Sequence, residues 1–109
     1  MPSETYRRIR MAILAEQQIT CTYRGRYREL CPHILGHTGG KEKLLAFQFA
    51  GESSTHLPPG GEWRCLSVRD MHSLKSRAGP WYAGTGHRRE QTCVEQVDID
   101  INIHVRHAR

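Results

Sequence analysis

No apolar run in this 109-residue chain approaches the roughly 20 residues that a membrane-crossing helix needs. Aromatic residues are scarce at 7%: Trp63, Trp81, Phe47, Phe49 and four tyrosines are the whole supply. Apolar residues reach only 38%, so the core is thin, and a sheet closed on itself suits such an inventory better than stacked layers. The amino terminus has arginines but no apolar stretch after them, which argues against a secretory signal. Gly-rich phosphate loops, nucleophile elbows and His-Glu-x-x-His motifs are missing; Gly39-Gly40-Lys41 is a turn without the rest of a phosphate loop. There is no Cys-x-x-Cys and no paired-histidine zinc spacing, and Cys31-Pro32-His33 with His37 is the single local cluster. Neither a metal nor another cofactor is expected. Enzyme classes are disfavoured too: Asp98 and Asp100 read as the solvent face of a strand rather than as a metal-holding pair.

What the chain has is basic charge, unevenly spread. Its net charge is +5, with Arg7, Arg8, Arg10, Arg24, Arg26 and Arg28 near the start and Arg88, Arg89, Arg106 and Arg109 near the end. Such a surface attracts polyanions without specifying one, and equally serves solubility. Four cysteines, at 21, 31, 65 and 93, would suggest two disulfides in a secreted domain. With nothing indicating export, they read as reduced, mostly buried thiols of a cytoplasmic protein.

The length fits one domain, 1–109. Ser3 to Gln17 reads as an amphipathic helix, with Tyr6, Ile9, Ala12 and Ile13 on one face and Ser3 as N-cap. Ile19, Cys21 and Tyr23 alternate with polar residues as in a half-buried strand. Gly25-Arg26 is the expected hairpin loop, setting Tyr23 opposite Arg28 and Cys21 opposite Leu30. Pro32 suggests an edge or bulge, Thr38-Gly39-Gly40 a turn, and Leu44 to Phe49 a strand with Leu45, Phe47 and Phe49 on one face. Trp63 to Val68 and Met71 to Lys75 are two strands or one bent strand. Strict alternation of Val97, Ile99, Ile101, Ile103 and Val105 marks the last strand. The expected fold is mainly β: a small Sm-like barrel of five to six strands, about 19–105, behind one N-terminal helix, about 3–17.

Between Ala12 and Arg69 the chain carries Ala12-Ile13, Tyr23, Arg28, Pro32-His33, Leu44-Leu45-Ala46-Phe47 and Trp63-Arg64-Cys65-Leu66-Ser67-Val68 in close order. This order resembles the WYL domain, a small β-rich module of prokaryotic regulatory proteins whose fold is the same Sm-like barrel. The name-giving Trp-Tyr-Leu reads Lys43-Leu44-Leu45 here. Where the family has Asp-Arg-Ile before its last hairpin, this chain has Arg69-Asp70-Met71, so the basic and acidic positions are exchanged.

The resemblance implies a ligand pocket formed by Tyr23, Arg28, His33 and Arg64. Those residue types suit a phosphate-bearing ligand: arginine offers paired donors, histidine a switchable charge, and tyrosine a ring on which a base stacks. The competing reading makes Tyr23 a core aromatic and pairs Arg28 with Glu29 or Glu42. Family regulators join this domain to a winged-helix DNA reader; about 18 residues precede the first strand here, too few for one. The expectation is therefore a standalone WYL-like binding or regulatory module for a nucleotide, a short single-stranded nucleic acid or another phosphorylated effector. The alternative is a ligand-free interaction module, including a homo-oligomer assembled through strand edges.

Overall fold

The computed structural model describes residues 2–52, 57–83 and 91–102. Helix α1 spans Glu4–Leu14, and the Ser3 hydroxyl accepts the Tyr6 amide at 3.1 Å as its N-cap. Tyr6, Ile9, Ala12 and Ile13 form the buried face that helical spacing predicts. The helix stops short of Gln17 because Glu16 takes a φ of +51° and turns the chain into the first strand.

Among the described residues six strands follow: β1 (Gln18–Tyr23), β2 (Arg26–Thr38), β3 (Lys41–Gly51), β4 (Glu62–Ser67), β5 (Met71–Arg77) and β6 (Gln96–Asp100). A 3-10 turn at Val68–Asp70 separates β4 from β5, so these are two strands. Every pairing is antiparallel, in the order β4-β3-β2-β1-β5, with β6 added to β2. The mainly β class, the strand count and the N-terminal helix match expectation, but the sheet is not closed. β4 and β5 stand at the two ends of the pairing order, joined through the 3-10 turn and not by a ladder. A side chain spans part of that gap: the Tyr23 hydroxyl accepts the Ser67 amide at 3.0 Å.

The first hairpin differs from expectation in its turn. Tyr23 pairs with Arg26, Cys21 with Arg28 and Ile19 with Leu30, which leaves Arg24-Gly25 as the loop. Both loop residues have positive φ, +52° and +79°, the backbone of the primed turn whose twist matches the flanking strands. The register moves by two positions, and an even shift keeps every side chain on its face. Arg28 consequently stays with Cys21 and Tyr23 on the buried side.

β2 runs unbroken through Pro32. It pairs with β1 over 26–30 and with β6 over 34–37 on the same edge, so the proline, which has no N–H, falls between two partners. A bulge between Pro32 and Ile34 brings Leu35 back to the core face. That core holds α1 against Ile19, Leu30, Leu35, Leu44, Leu66, Ile99 and Ile101. A smaller cluster of Ile34, Leu45 and Val94 lies on the far side of the sheet, with Trp63 against it.

Two expectations are corrected here. Cys65 and Cys93 form a disulfide, tying β4 to the segment that leads into β6, while Cys21 and Cys31 are free and buried. Cys65 lies on the exposed face of β4, opposite in phase to buried Leu66, and is thus available to Cys93. The last strand ends at Asp100; Ile99 and Ile101 are buried but Val97 is 44% exposed, and Ile103 and Val105 lie outside the described residues. Gly36 allows β6 to approach, since a Cβ there would overlap the Gln96 carbonyl oxygen.

Candidate functional site

Four neighbouring strands bring polar side chains together on the core face. Tyr23 ends β1, Arg28 lies early in β2, and Arg64 lies in β4 opposite Ala46 of β3. Gln48, opposite Leu30, sits between the two arginines and is fully buried. Its Oε1 accepts from Arg28 Nη1 at 3.3 Å and from Arg64 Nε at 3.2 Å. Its Nε2 donates to the carbonyls of Ala50 and Glu52 at 3.2 and 2.8 Å, and this fixes the orientation of the amide.

Arg28 is 6% exposed, and its guanidinium lies 5.1 Å from the centre of the Tyr23 ring. Among the described residues its Nε has no acceptor and no carboxylate pairs with it. Neither candidate partner is engaged with it: Glu29 pairs with Arg77, and Glu42 accepts the Ser3 amide and hydroxyl. Burial, and then the adjacent Arg64 guanidinium, push Arg28 below the ordinary arginine range. Arginine nonetheless stays protonated near neutrality, so the site holds a buried cation with mostly neutral company. Arg64 is the more exposed of the two, its side chain at 18%, with Glu62 at 3.8 Å.

Three of the four expected residues, Tyr23, Arg28 and Arg64, thus converge, and His33 does not. His33 is 5% exposed on the face of the sheet that carries Phe47, its ring 4.8 Å from Trp63 and 5.1 Å from Trp81. Its Nε2 lies 3.3 Å from the Tyr82 carbonyl oxygen. Strand alternation explains the separation: Arg28 and Leu30 face the core, so Cys31 and His33 face away. Arg69, the basic member of the Arg69-Asp70 pair, does not join Arg28. It lies in the 3-10 turn, its side chain 77% exposed, 3.7 Å from Asp70.

Gln48 is the residue that sequence reasoning missed. Its signal was its phase, two positions after Ala46 and four after Leu44 on the buried side of β3. Asp98 lies on the exposed side of β6 as expected, and there it also accepts the Tyr6 hydroxyl and lies 3.1 Å from His37 Nδ1. Among the described residues no three His, Cys, Asp or Glu side chains gather as metal ligands, and no helix is long and apolar enough to cross a membrane. No protein-family model matches the chain, and no curated protein or solved structure matches it either.

Proposed function

We propose that this chain is a WYL-like, Sm-like ligand-binding module that takes a nucleotide, a short single strand or another phosphorylated effector at Arg28 and Arg64. The observation that carries the reading is Arg28: a buried guanidinium beside a second arginine, with no carboxylate to balance it among the described residues. A buried charge without a counter-charge is costly, and a phosphate supplies both the missing charge and acceptors for the guanidinium. Arg64 meets the ligand first and Arg28 backs it, while the Tyr23 ring offers a stacking surface at the same place. His33 takes no part in this version of the pocket. The meander order, with a 3-10 turn between β4 and β5 and a helix at the start, supports the Sm-like reading. No catalytic role is assigned to the site. Duplex DNA binds only weakly, through counterion release.

The test is titration of purified protein with nucleoside mono- and diphosphates and short oligonucleotides, alongside thermal melts of Arg28→Met and Arg64→Met. Methionine keeps the apolar stem and removes the charge. Each variant loses about tenfold or more in affinity with an intact cooperative melt, as expected for a charge-assisted hydrogen bond worth roughly 1.5–3 kcal/mol. Undiminished affinity in both would refute the pocket.

A second reading rests on the open edges. Among the described residues β4 pairs only with β3, and β5 only with β1, which leaves backbone groups for another copy of the chain. Sedimentation of a homo-oligomer that persists without any phosphorylated ligand would favour this assembly role. A cytoplasmic location belongs to the first reading; there the thiol pools would hold Cys65 and Cys93 reduced.

A further inference from the structure

We infer that a second cavity, between the β2–β3 turn and the 3-10 turn, binds a diphosphate or a run of phosphodiesters, with His37 as its protonation gate. The inference does not depend on the Arg28 pocket. The cavity measures about 670 Å³, within the range of small-molecule sites. Four permanent cations, Arg24, Lys41, Lys43 and Arg69, line it against two carboxylates, Glu42 and Asp70.

Both carboxylates are already engaged. Glu42 accepts the Ser3 amide and hydroxyl at 2.9 and 2.6 Å, which anchors the start of α1. Asp70 lies 3.3 Å from Arg24 and 3.7 Å from Arg69. Lys43 donates to the neutral Ser67 hydroxyl at 2.9 Å, and no carboxylate among the described residues pairs with Lys41. The lining therefore keeps a positive surplus in a concave space, where charges are screened less than on an open surface. Among the described residues His37 is the one aromatic ring in its lining, so a ligand is held by its phosphoryl oxygens and not by a stacked base.

His37 separates this cavity from an ordinary basic surface. Its Nδ1 lies 3.1 Å from Asp98 Oδ2 on β6, and the same oxygen accepts the Tyr6 hydroxyl from α1. Anchored by Tyr6, Asp98 holds the tautomer with hydrogen on Nδ1 and leaves Nε2 as the free edge of the ring. A neutral ring presents a lone pair at Nε2, which repels a phosphoryl oxygen. A protonated ring presents an N–H donor and a full charge. The charged and titratable groups around the ring are Asp98 from β6, Tyr6 from α1, and Glu42 and Lys41 from β3. Affinity for a ligand of fixed charge accordingly rises as pH falls.

Two probes separate the sources of the phosphoryl group: inorganic pyrophosphate for a small ligand and a short oligothymidylate for a nucleic-acid backbone. The phosphodiesters of the oligonucleotide do not titrate near neutrality, so its pH dependence reports on the protein. Binding to the full chain is followed by amide chemical shifts and by fluorescence anisotropy. Expected are at least fivefold weaker binding in the exposed double variant Lys41→Ala/Arg69→Ala, and less than twofold change in Lys75→Ala, a cation outside the cavity. Oligothymidylate affinity should strengthen severalfold from about pH 8 to about pH 5.5, and His37→Gln should abolish that slope. Pyrophosphate is compared between wild type and His37→Gln at one pH, where its own titration cancels. Amide shifts at 41–43 and 67–70 that persist in Arg28→Met separate this cavity from the Arg28 pocket. Wild-type affinity for both probes in the double variant, an equal loss in Lys75→Ala, or a pH slope that survives His37→Gln would each overturn the inference.

Discussion

Arg28 and Arg64 share one acceptor, the Gln48 side-chain oxygen, at 3.3 and 3.2 Å. One neutral oxygen accepts from both guanidiniums without neutralising either, because residue 48 is an amide and not an acid. Replacement by Glu supplies the missing carboxylate internally, and charge-assisted bonds to arginine exceed neutral ones. Gln48→Glu is therefore expected to weaken phosphate-ligand binding at least tenfold, while its second oxygen, set against the Ala50 and Glu52 carbonyls where the amide donated, offsets the gain in stability. Gln48→Leu removes the acceptor that both arginines share and the donor of two carbonyls, and should cost about 1–3 kcal/mol in denaturant unfolding. A Gln48→Glu protein that still binds like wild type would show that the arginines do not hold the ligand.

Reduction should loosen one corner of the molecule. The Cys65–Cys93 bond closes a loop of 28 residues' separation and ties β4 to the approach to β6. Chain-entropy reasoning values such a loop at about 3–4 kcal/mol. A Cys65→Ser/Cys93→Ser variant should lose that much in denaturant unfolding, and dithiothreitol should lower the wild-type melting temperature but not that of the variant. An equal response of both proteins would show that the bond carries no stability.

Gly36→Ala tests the docking of β6. The added methyl would collide with the Gln96 carbonyl oxygen and approach Val94 Cγ1 at 2.7 Å, so strand and segment must move apart. A loss of about 1–3 kcal/mol is expected, as for overpacking in a core. Hydrogen exchange should quicken at 96–100 and stay slow at 19–23. Uniform quickening across both strands would contradict local undocking of β6.

Cys21 should make stability fall on the alkaline side. Burial pushes its thiol up to about 11 from an ordinary 9.0, with Arg28 opposing the shift. A folded value above the unfolded one favours the protonated thiol. Its contribution is thus complete below about pH 9 and is lost as pH rises toward about 11. The difference in unfolding free energy between wild type and Cys21→Val should shrink across that window. A flat difference would show that Cys21 does not titrate on unfolding.

Much of the framework was legible because it obeys local periods. The helix face at Tyr6, Ile9, Ala12 and Ile13, its Ser3 cap and the alternation through Ile19, Cys21 and Tyr23 are short-range signals. So was the placing of Arg28 on the core face, which survived a wrong turn because the register error was even. What failed depends on distance in sequence. Nothing local to Cys65 announces Cys93, and nothing local to Asp98 announces Tyr6 and His37. The four-residue site was half a matter of alternation and half of resemblance. Counting by twos from Leu30 puts His33 opposite Arg28, whereas the resemblance had grouped the two.

β2 also has a consequence for how the chain acquires its shape. Its edges are taken by β1, β3 and β6, but two of these partners are reached through two-residue turns and the third only after most of the chain has been made. Hairpins of the first kind close within microseconds, whereas the pairing of Leu35 with Ile99 must wait for a long-range search. A β1–β2–β3 sheet is therefore expected to form before β6 docks, with the 34–37 edge of β2 still bare. During that interval the chain is at its most prone to pair with a neighbour, and dilution during refolding is the condition that protects it.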